Sequence, residues 1–193
     1  ASFFFRWVMP KSGWEFYGEW GYNDYKQNVR DYAMDATHSA AYILGASKYF
    51  RLANYEIVLG IETLKQSETP SNLLRDAGNW YVHGGDNGYT HWNQIMGAGV
   101  GNGTDLQSIS VTVINLQSKF SFVCQFQKAS RDPNRFVNQW VDYCFKIQPS
   151  WNKNKITFSP SITYVHSPNN LWVANSKSSN LNVRLSLHYH LIQ

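Results

Sequence analysis

The chain has 193 residues, of which 16% are aromatic and 16% are charged, and its formal net charge is +4. A soluble globular domain carries about 25% charged residues, so aromatic rings are in excess over charge here. No run approaches the roughly 18 apolar residues of a spanning helix, which excludes a helical membrane protein. The basic residues form no stripe, so we expect no nucleic-acid partner, and no change of composition divides the chain, which predicts one domain over residues 1–193.

Apolar and polar side chains alternate along the chain, as they do in β-strands with one oily and one wet face. Turn signals separate these stretches, and together they predict an all-β protein of about ten antiparallel strands. The apolar positions, in chain order, are Trp14, Phe16 and Trp20; Tyr55, Ile57, Leu59 and Ile61; Phe120, Phe122, Cys124 and Phe126; Val141, Tyr143, Phe145 and Ile147; Ile156, Phe158, Ile162 and Tyr164; and Leu181, Val183, Leu185, Leu187, Tyr189 and Leu191.

Two longer connections, residues 23–39 and 66–90, lack this alternation. The first contains Val29, Tyr32, Ala33 and Met34, which predicts a short helical turn.

Two residue types predict local features of the strands. Cys124 falls on the oily face and Cys144 on the wet face, so we expect two free thiols, because a disulfide needs both Cβ atoms on one side. Pro160 removes a donor from the ladder of hydrogen bonds between strands, which predicts a bulge or a bent edge strand.

The nature of the two faces favours a transmembrane β-barrel over a soluble sandwich or barrel. A soluble barrel needs small apolar residues inside and many Lys and Glu outside, whereas the wet face here is mostly Ser, Thr, Asn, Gln and His. The oily face carries rings near strand ends, as in the aromatic girdle of a membrane barrel. Those rings are Trp7, Trp14, Trp20, Tyr22, Tyr143 and Tyr189. If the last strand ends in the periplasm, connections 128–136 and 166–180 lie outside, but 66–90 then falls inside.

Four ordered motifs carry a resemblance to a known family. They are Trp14-Glu15-Phe16-Tyr17-Gly18-Glu19-Trp20-Gly21 with Asn23-Asp24; Asn28-Val29-Arg30-Asp31; residues 38–45; and Gly88-Tyr89-Thr90-His91 with Gln94 and Gly97-Ala98-Gly99-Val100-Gly101. In this order they resemble the Wzi family of capsule assembly proteins. Residues 139–142 and 181–191 are similar to the later strands of that family.

The resemblance implies a location in the bacterial outer membrane and an 18-stranded barrel, of which this chain would be the C-terminal part. It also implies a lectin that holds capsular or other surface polysaccharide without enzymatic activity or cofactor. The expected partners are therefore the polysaccharide, outer-membrane lipid and other envelope proteins.

Several residues are candidates for saccharide binding, because rings stack on sugars while amides and charged groups bond their hydroxyls. They are Asp24, Arg30, Asp31, His38, Tyr89, His91 and Trp172, and a further candidate set in the last connection is Tyr164, His166, Asn169, Asn170 and Trp172. The competing interpretation makes Asp24, Arg30, Asp31 and His38 a network that braces their own loop, which we favour. Glycines around Tyr89 and His91 could equally bend a strand.

A second set of polar residues is expected to line the lumen of the barrel. It comprises Arg6, Glu15, Glu19, Glu56, Glu62, Arg184, His188 and His190. We expect the carboxylates to pair with inner cations such as Arg6, Lys48 and Arg184, since unpaired buried charge is costly. His188 and His190 have no third ligand nearby in sequence, so no metal is expected. The alternative functions are a diffusion porin or an accessory barrel of a larger envelope complex, with an enzyme as a distant third.

Overall fold

The computed structural model describes residues 2–22, 29–70, 80, 90–91, 94–95, 99–134 and 136–190, with the backbone alone at 31–32, 90–91 and 94–95. The strands are β1 (Ser2–Met9), β2 (Trp14–Tyr22), β3 (Ala40–Leu52), β4 (Tyr55–Lys65), β5 (Thr90–His91), β6 (Gln94–Ile95), β7 (Thr104–Asn115), β8 (Phe120–Arg131), β9 (Trp140–Lys153), β10 (Ile156–Ser167) and β11 (Ser178–Tyr189). Helix α1 covers Val29–Met34, where the helical turn was predicted, and one 3₁₀ turn covers Asn170–Trp172.

Nine of the strands form one sheet in the order β1-β2-β3-β4-β7-β8-β9-β10-β11, and every neighbouring pair is antiparallel. The two short strands β5 and β6 form a separate hairpin within the connection between β4 and β7. The prediction of an all-β antiparallel fold with about ten strands is therefore confirmed. No helix in the described part of the chain is long and apolar enough to cross a membrane.

The register of the strands gives the sheet one apolar and one polar face. Residues directly opposite each other on neighbouring strands share a face. Ile109, for example, lies opposite Ile61 and Phe126, and Phe126 lies opposite Phe145. The apolar positions predicted from the alternation of the sequence thereby lie on one common face of the sheet.

The polar face is the concave one. On β10 the serines Ser159 and Ser161 are 7% and 9% exposed, whereas Phe158 and Ile162, which flank them in sequence, are 40% and 49% exposed. No second layer of described elements covers either face of the strands, so a flat sheet would expose both equally. A sheet that curves toward its polar face brings the serines close together and buries them, and it leaves the apolar side chains exposed on the outer face. This arrangement is the reverse of a water-soluble barrel.

A small apolar cluster lies at one end of the concave face. Leu64, Leu106 and Ala129 occupy one row on β4, β7 and β8, and Ile43 and Val100 pack against them. Because Val100 lies shortly before β7, the end of that connection folds inward over the rim of the sheet at this residue. The buried apolar side chains therefore fix a loop instead of forming a central core.

All long connections of the sheet lie at one end, which we call the loop end. Residues 23–39, 66–103, 132–139 and 168–177 join strands there, whereas the opposite, turn end has only the short connections 10–13, 53–54, 116–119 and 154–155. The expectation that residues 66–90 fall on the opposite side from 128–136 and 166–180 is wrong. Because β5 and β6 stand outside the main sheet, β4 and β7 are neighbours and a single connection links them.

The prediction for Pro160 is also wrong, while that for the cysteines is confirmed. Strand β10 lies in the interior of the sheet, and its register to β9 is the same on both sides of Pro160, so no residue bulges out. The ladder is instead interrupted between Phe158 and Ile162, opposite a stretch of β9 that contains Pro149. Cys124 and Cys144 are free thiols on opposite faces.

Candidate functional site

Asp142 is the centre of a polar cluster on the concave face at the loop end. It is 8% exposed, and its carboxylate accepts hydrogen bonds from Arg131 Nε (3.1 Å), Trp140 Nε1 (2.7 Å) and Ser167 Oγ. These donors come from the ends of β8, β9 and β10. A buried carboxylate needs such donors to offset its desolvation, and here they also join three strands at the rim.

Arg131 links this cluster to the connection that precedes β7. Its Nη1 donates to the carbonyl oxygen of Val100 and to Thr104 Oγ1, the latter at 3.3 Å. The guanidinium carbon also lies 5.7 Å from the centre of the Trp140 ring, within the range of a cation–π contact. The Arg131–Asp142 ion pair is thus part of a network that holds the inward-folded loop.

Three aromatic rings stand beside this network and form the rim cluster: Phe136, Trp140 and Trp172. The Trp172 indole donates from Nε1 to the carbonyl oxygen of Arg131 at 3.1 Å, which fixes its orientation. Its ring meets Trp140 edge-on at 4.8 Å between centroids and lies 4.4 Å from Phe136. Phe136 is 41% exposed and Trp172 is partly exposed. The rim cluster therefore presents rigid aromatic surface at the loop end.

His38 lies in a second polar cluster that joins two loops. It is 5% exposed; its Nδ1 shares a hydrogen bond with Thr69 Oγ1 at 3.1 Å, and its Nε2 lies 4.0 Å from a carboxylate oxygen of Glu68. Thr69 Oγ1 in turn donates to Asp35. The Nδ2 of Asn134 donates to the main-chain oxygen of Glu68 at 2.7 Å, so the connection after β8 is attached too.

Asp35 organises the start of this second cluster. Its other oxygen accepts from the amide and hydroxyl of Thr37 at 2.8 and 2.9 Å. The hydrogen bond from Thr69, together with those from Thr37, lowers the pKa of Asp35 below the ordinary value of an aspartate, against the opposing effect of burial. A charged Asp35 is therefore built into the folded loops.

A third carboxylate, Asp105, binds the two residues that directly follow β4. It accepts hydrogen bonds from the backbone amides of Gln66 and Ser67, both at 3.0 Å, and from Ser67 Oγ at 2.8 Å. Together the three carboxylates tie the first turns of the long connections to the rim of the sheet.

All eight predicted lumen residues lie on the polar face or its continuation, but most of their partners differ from those expected. Arg6 donates to Glu15 at 2.6 Å, as predicted. Glu62 instead accepts from Tyr17 at 2.6 Å, and Glu56 accepts from Tyr49 at 2.9 Å. The remaining placements are Glu19 opposite Phe4 and Ile43, Arg184 opposite Ser161, His188 opposite Thr157, and His190 Nε2 within 2.9 Å of Thr157 Oγ1.

Lys48 was expected to be an inner cation, and this is wrong. It pairs with Trp14 and Leu59, which are on the apolar face, and its Nζ lies 5.1 Å from the centre of the Trp14 ring while donating to the main-chain oxygen of Ser12. A lysine at a strand end can lay its aliphatic chain along apolar surface and bring its charged group to the turn. The charge of such a residue therefore does not predict which face of the sheet it lies on.

The predicted saccharide-binding residues are only partly brought together. His38 and Trp172 both lie at the loop end, in the two clusters described above, and Arg30 is exposed on α1. Asp24 and Tyr89 lie outside the described residues, and for Asp31 and His91 only the backbone is described. The further candidate set is split, because Tyr164 and His166 are on the outward face of β10 while Trp172 is at the inner rim.

Several residues of these clusters were not selected from the sequence, namely Asp35, Thr69, Arg131, Trp140 and Asp142. Alternation did place Trp140 and Asp142 on the wet face at the start of a strand, which is the one available signal. Among the described residues, no group of three His, Cys, Asp or Glu side chains is arranged to hold a metal ion.

Comparison with known proteins supports the fold. No protein-family model matches the chain, and no curated protein matches it in sequence. Among solved structures, it is similar to Wzi, described as an outer membrane protein involved in group 1 capsule assembly in Escherichia coli and as a carbohydrate-binding β-barrel. The TM-score is 0.60 at 13% identity, over 90% of this chain and 37% of that one. The predicted Wzi-like barrel fold is thus confirmed, and the chain spans little more than a third of that protein.

Proposed function

We propose that the chain is part of an outer-membrane β-barrel that holds surface polysaccharide at its loop end and catalyses no reaction. The observation that carries the membrane assignment is the inverted sheet, with polar side chains crowded on the concave face and large apolar side chains open on the convex one. In water this exposed apolar surface has no favourable environment, whereas hydrocarbon provides one.

The loop end is assigned to the cell exterior. Outer-membrane barrels have short periplasmic turns and longer extracellular loops, and the four long connections all share one end of this sheet. The rim cluster and the His38 cluster then face the surface of the cell, where a polysaccharide would be met.

Closure of the barrel requires further strands between β11 and β1. Unpaired backbone groups at a sheet edge are costly in hydrocarbon, so both edges need partners. Strands β1 and β11 both run from the loop end to the turn end, because an odd number of antiparallel strands separates them. An all-antiparallel barrel is therefore completed only by an odd number of additional strands.

Site-directed labelling tests the membrane assignment. In a cysteine-free background, a probe on Leu185→Cys should be quenched by lipid-borne quenchers, whereas one on the neighbouring Ser186→Cys should respond to a water-soluble quencher. Leu185 is on the apolar face and 72% exposed, and Ser186 is on the polar face. Equal responses at both positions would contradict the proposed inverted sheet.

The rim cluster supports the polysaccharide assignment. Aromatic faces stack on the C–H faces of sugars, and rings held rigid before binding lose little entropy on binding. Trp172 is held by its hydrogen bond to the Arg131 carbonyl and by two neighbouring rings, and Phe136 offers an exposed ring beside it. The likeness to a carbohydrate-binding barrel adds to this argument at the level of fold.

Calorimetry with purified surface polysaccharide tests the assignment. Phe136→Ala and Trp172→Ala should each weaken binding about tenfold, the loss of one stacking contact of roughly 1–1.5 kcal/mol. Trp172→Phe keeps a ring but removes the Nε1 donor, so it separates stacking from loop bracing. Trp7→Ala, on the convex face of the edge strand, is the matched control. Absence of binding by the full-length protein would refute the proposal.

The hydrogen bonds of two hydroxyl groups, Ser167 and Thr69, support the absence of catalysis. Ser167 donates to Asp142 and Thr69 donates to Asp35, so both hydroxyls brace structure. The competing function is a diffusion porin, which the Ser-, Thr- and Gln-rich concave face favours. Bilayer conductance that persists with saturating polysaccharide would support the porin over the binding protein.

A further inference from the structure

A row of polar side chains crosses the otherwise apolar convex face near the loop end. Cross-strand register places Gln107, Lys128, Tyr143, His166 and Ser179 side by side on β7 to β11. We call these five residues the outward polar row. All are at least partly exposed.

The next row toward the turn end consists of aromatic and aliphatic side chains. It consists of Ile109, Phe126, Phe145, Tyr164 and Leu181, on the same five strands and the same face. The change from aromatic and aliphatic side chains to polar ones therefore occurs at one level on β7, β8, β10 and β11, with a tyrosine at that level on β9. On a barrel face, such a boundary marks where hydrocarbon ends and lipid headgroups begin.

Lys128 supplies a positive charge at this level that no carboxylate of the described residues neutralises. Among the described residues, no carboxylate lies within ion-pair distance of its Nζ. The carboxylate of Asp105, on this face two residues before Gln107, is occupied by the amides of Gln66 and Ser67. The charge is thus available to a group from outside the chain.

One ring nitrogen of His166, Nδ1, is engaged by a neighbouring hydroxyl. Tyr164 Oη donates to Ser179 Oγ at 3.2 Å, and Ser179 Oγ lies 2.9 Å from His166 Nδ1. Ser179 Oγ has two lone pairs, so it can accept from Tyr164 and also either donate to Nδ1 or accept from it. Nε2 makes no hydrogen bond within the described residues, and it donates to an external acceptor in every form of the ring that carries a hydrogen there.

The spacing of these donors suits one headgroup. Lys128 and His166 flank Tyr143 on adjacent strands, so their Cα atoms are about 10 Å apart, two strand spacings. Tyr143 lies on the middle strand between them, with its ring stacked on Phe126 at 6.4 Å between centroids, and it adds a hydroxyl donor to the same row. Lysine, imidazole N–H and hydroxyl groups together form charge-assisted hydrogen bonds to a phosphate.

We propose that the outward polar row binds the phosphate of a phosphorylated glycolipid in the leaflet at the loop end. This inference rests on the proposed membrane location and on the loop end facing outward, since that leaflet carries the glycolipid. The site is separate from the rim cluster, which lies on the concave face.

The test uses full-length protein in phosphatidylcholine nanodiscs containing lipid A, with bound lipid counted by native mass spectrometry. Lys128→Ala and His166→Ala should each weaken lipid A retention by roughly tenfold, the loss of one charge-assisted hydrogen bond. Lys153→Ala, an exposed lysine on the same face at the turn end, should leave retention unchanged. Dephosphorylated lipid A should be retained weakly by all variants.

Three results would overturn the inference. Equal retention by the wild type, Lys128→Ala and His166→Ala would refute a binding site at these residues. Undiminished retention of the dephosphorylated lipid would refute recognition of the phosphate. Equal retention of phosphatidylglycerol in place of lipid A would remove the assignment to a glycolipid. Insertion is measured in the same samples. Failure to enter nanodiscs refutes the membrane proposal. Normal insertion with equal retention of lipid A by the wild type and both variants refutes only the headgroup site.

Discussion

Replacing Gly45 with alanine would place a methyl group where the Tyr17 ring crosses the concave face. Tyr17 lies directly opposite Gly45, and Gly45 lies directly opposite Glu62. The ring passes over the glycine so that its hydroxyl donates to Glu62 at 2.6 Å, which links β2 to β4 across β3. A Cβ on residue 45 would meet two ring atoms and the hydroxyl oxygen of Tyr17, with Cε1 at 2.6 Å. The ring must move, and the hydrogen bond is then lost.

The cost follows from two opposing effects. A hydrogen bond to a charged group contributes about 1.5–3 kcal/mol, and displaced packing adds to its loss. Alanine in a strand is favoured over glycine by roughly 0.5–1 kcal/mol, because the unfolded chain loses less entropy. We therefore expect Gly45→Ala to lower the free energy of unfolding by about 1–2.5 kcal/mol.

Equilibrium unfolding in guanidinium chloride, followed by tryptophan fluorescence of the full-length protein in lipid vesicles, measures this change. Gly60→Ala is the matched control, since Gly60 is on the same face of β4 and its Cβ would meet only the rotatable Ser110 hydroxyl, at 2.7 Å. It should be neutral or stabilising by up to about 1 kcal/mol.

Combining Gly45→Ala with Tyr17→Ala tests whether the Tyr17 ring causes the loss of stability. With the ring absent, alanine at residue 45 has no clash and should cost nothing beyond the first substitution. Equal effects of Gly45→Ala and Gly60→Ala, or full additivity with Tyr17→Ala, would refute the role given to the ring.

Three further predictions concern the loop end. Asp142→Ala should lower the free energy of unfolding by roughly 1–3 kcal/mol, because Arg131, Trp140 and Ser167 lose a shared acceptor, and the same unfolding assay would show it. Since the folded pKa of Asp35 is depressed, its contribution is present above the pKa of an unfolded aspartate and is lost as pH falls through the lower folded value. Protection of the loops from protease should fall over that acidic range, and Asp35→Asn should remove the dependence. Gly103→Ala should cost about 1–2 kcal/mol, since Gly103 has φ +62° and its Cβ would strike the Asp132 carboxyl group; a melting temperature equal to the wild type would contradict this.

Arg30 tests the two interpretations of the first long loop. Its side chain is exposed on α1, so Arg30→Ala should change the free energy of unfolding by less than about 0.5 kcal/mol. A loss of polysaccharide binding without loss of stability would favour ligand contact, and a loss of stability in proportion to binding would favour loop bracing.

The location of the strands and the partition of side chains between two faces could be predicted from the sequence. Side chains of a strand point alternately to opposite sides, so Leu181 to Leu187 and Phe120 to Phe126 reveal their common face without knowledge of any neighbour. The same logic correctly separated Cys124 from Cys144. It failed at Lys48, because a long side chain at a strand end can lie along apolar surface and still reach polar partners.

Pairing across the chain required the tertiary structure. Asp142 meets Arg131 and Ser167 only because β8, β9 and β10 are neighbours in one register, and no local pattern encodes these partners. That β4 pairs with β7, and that residues 66–103 share an end with the other long connections, likewise depends on which strands are adjacent. Alternation is a property of a single strand, whereas curvature, register and loop clustering are properties of the sheet. The alternation of side chains therefore establishes that each strand has two faces, whereas the curvature of the assembled sheet places the polar face inside.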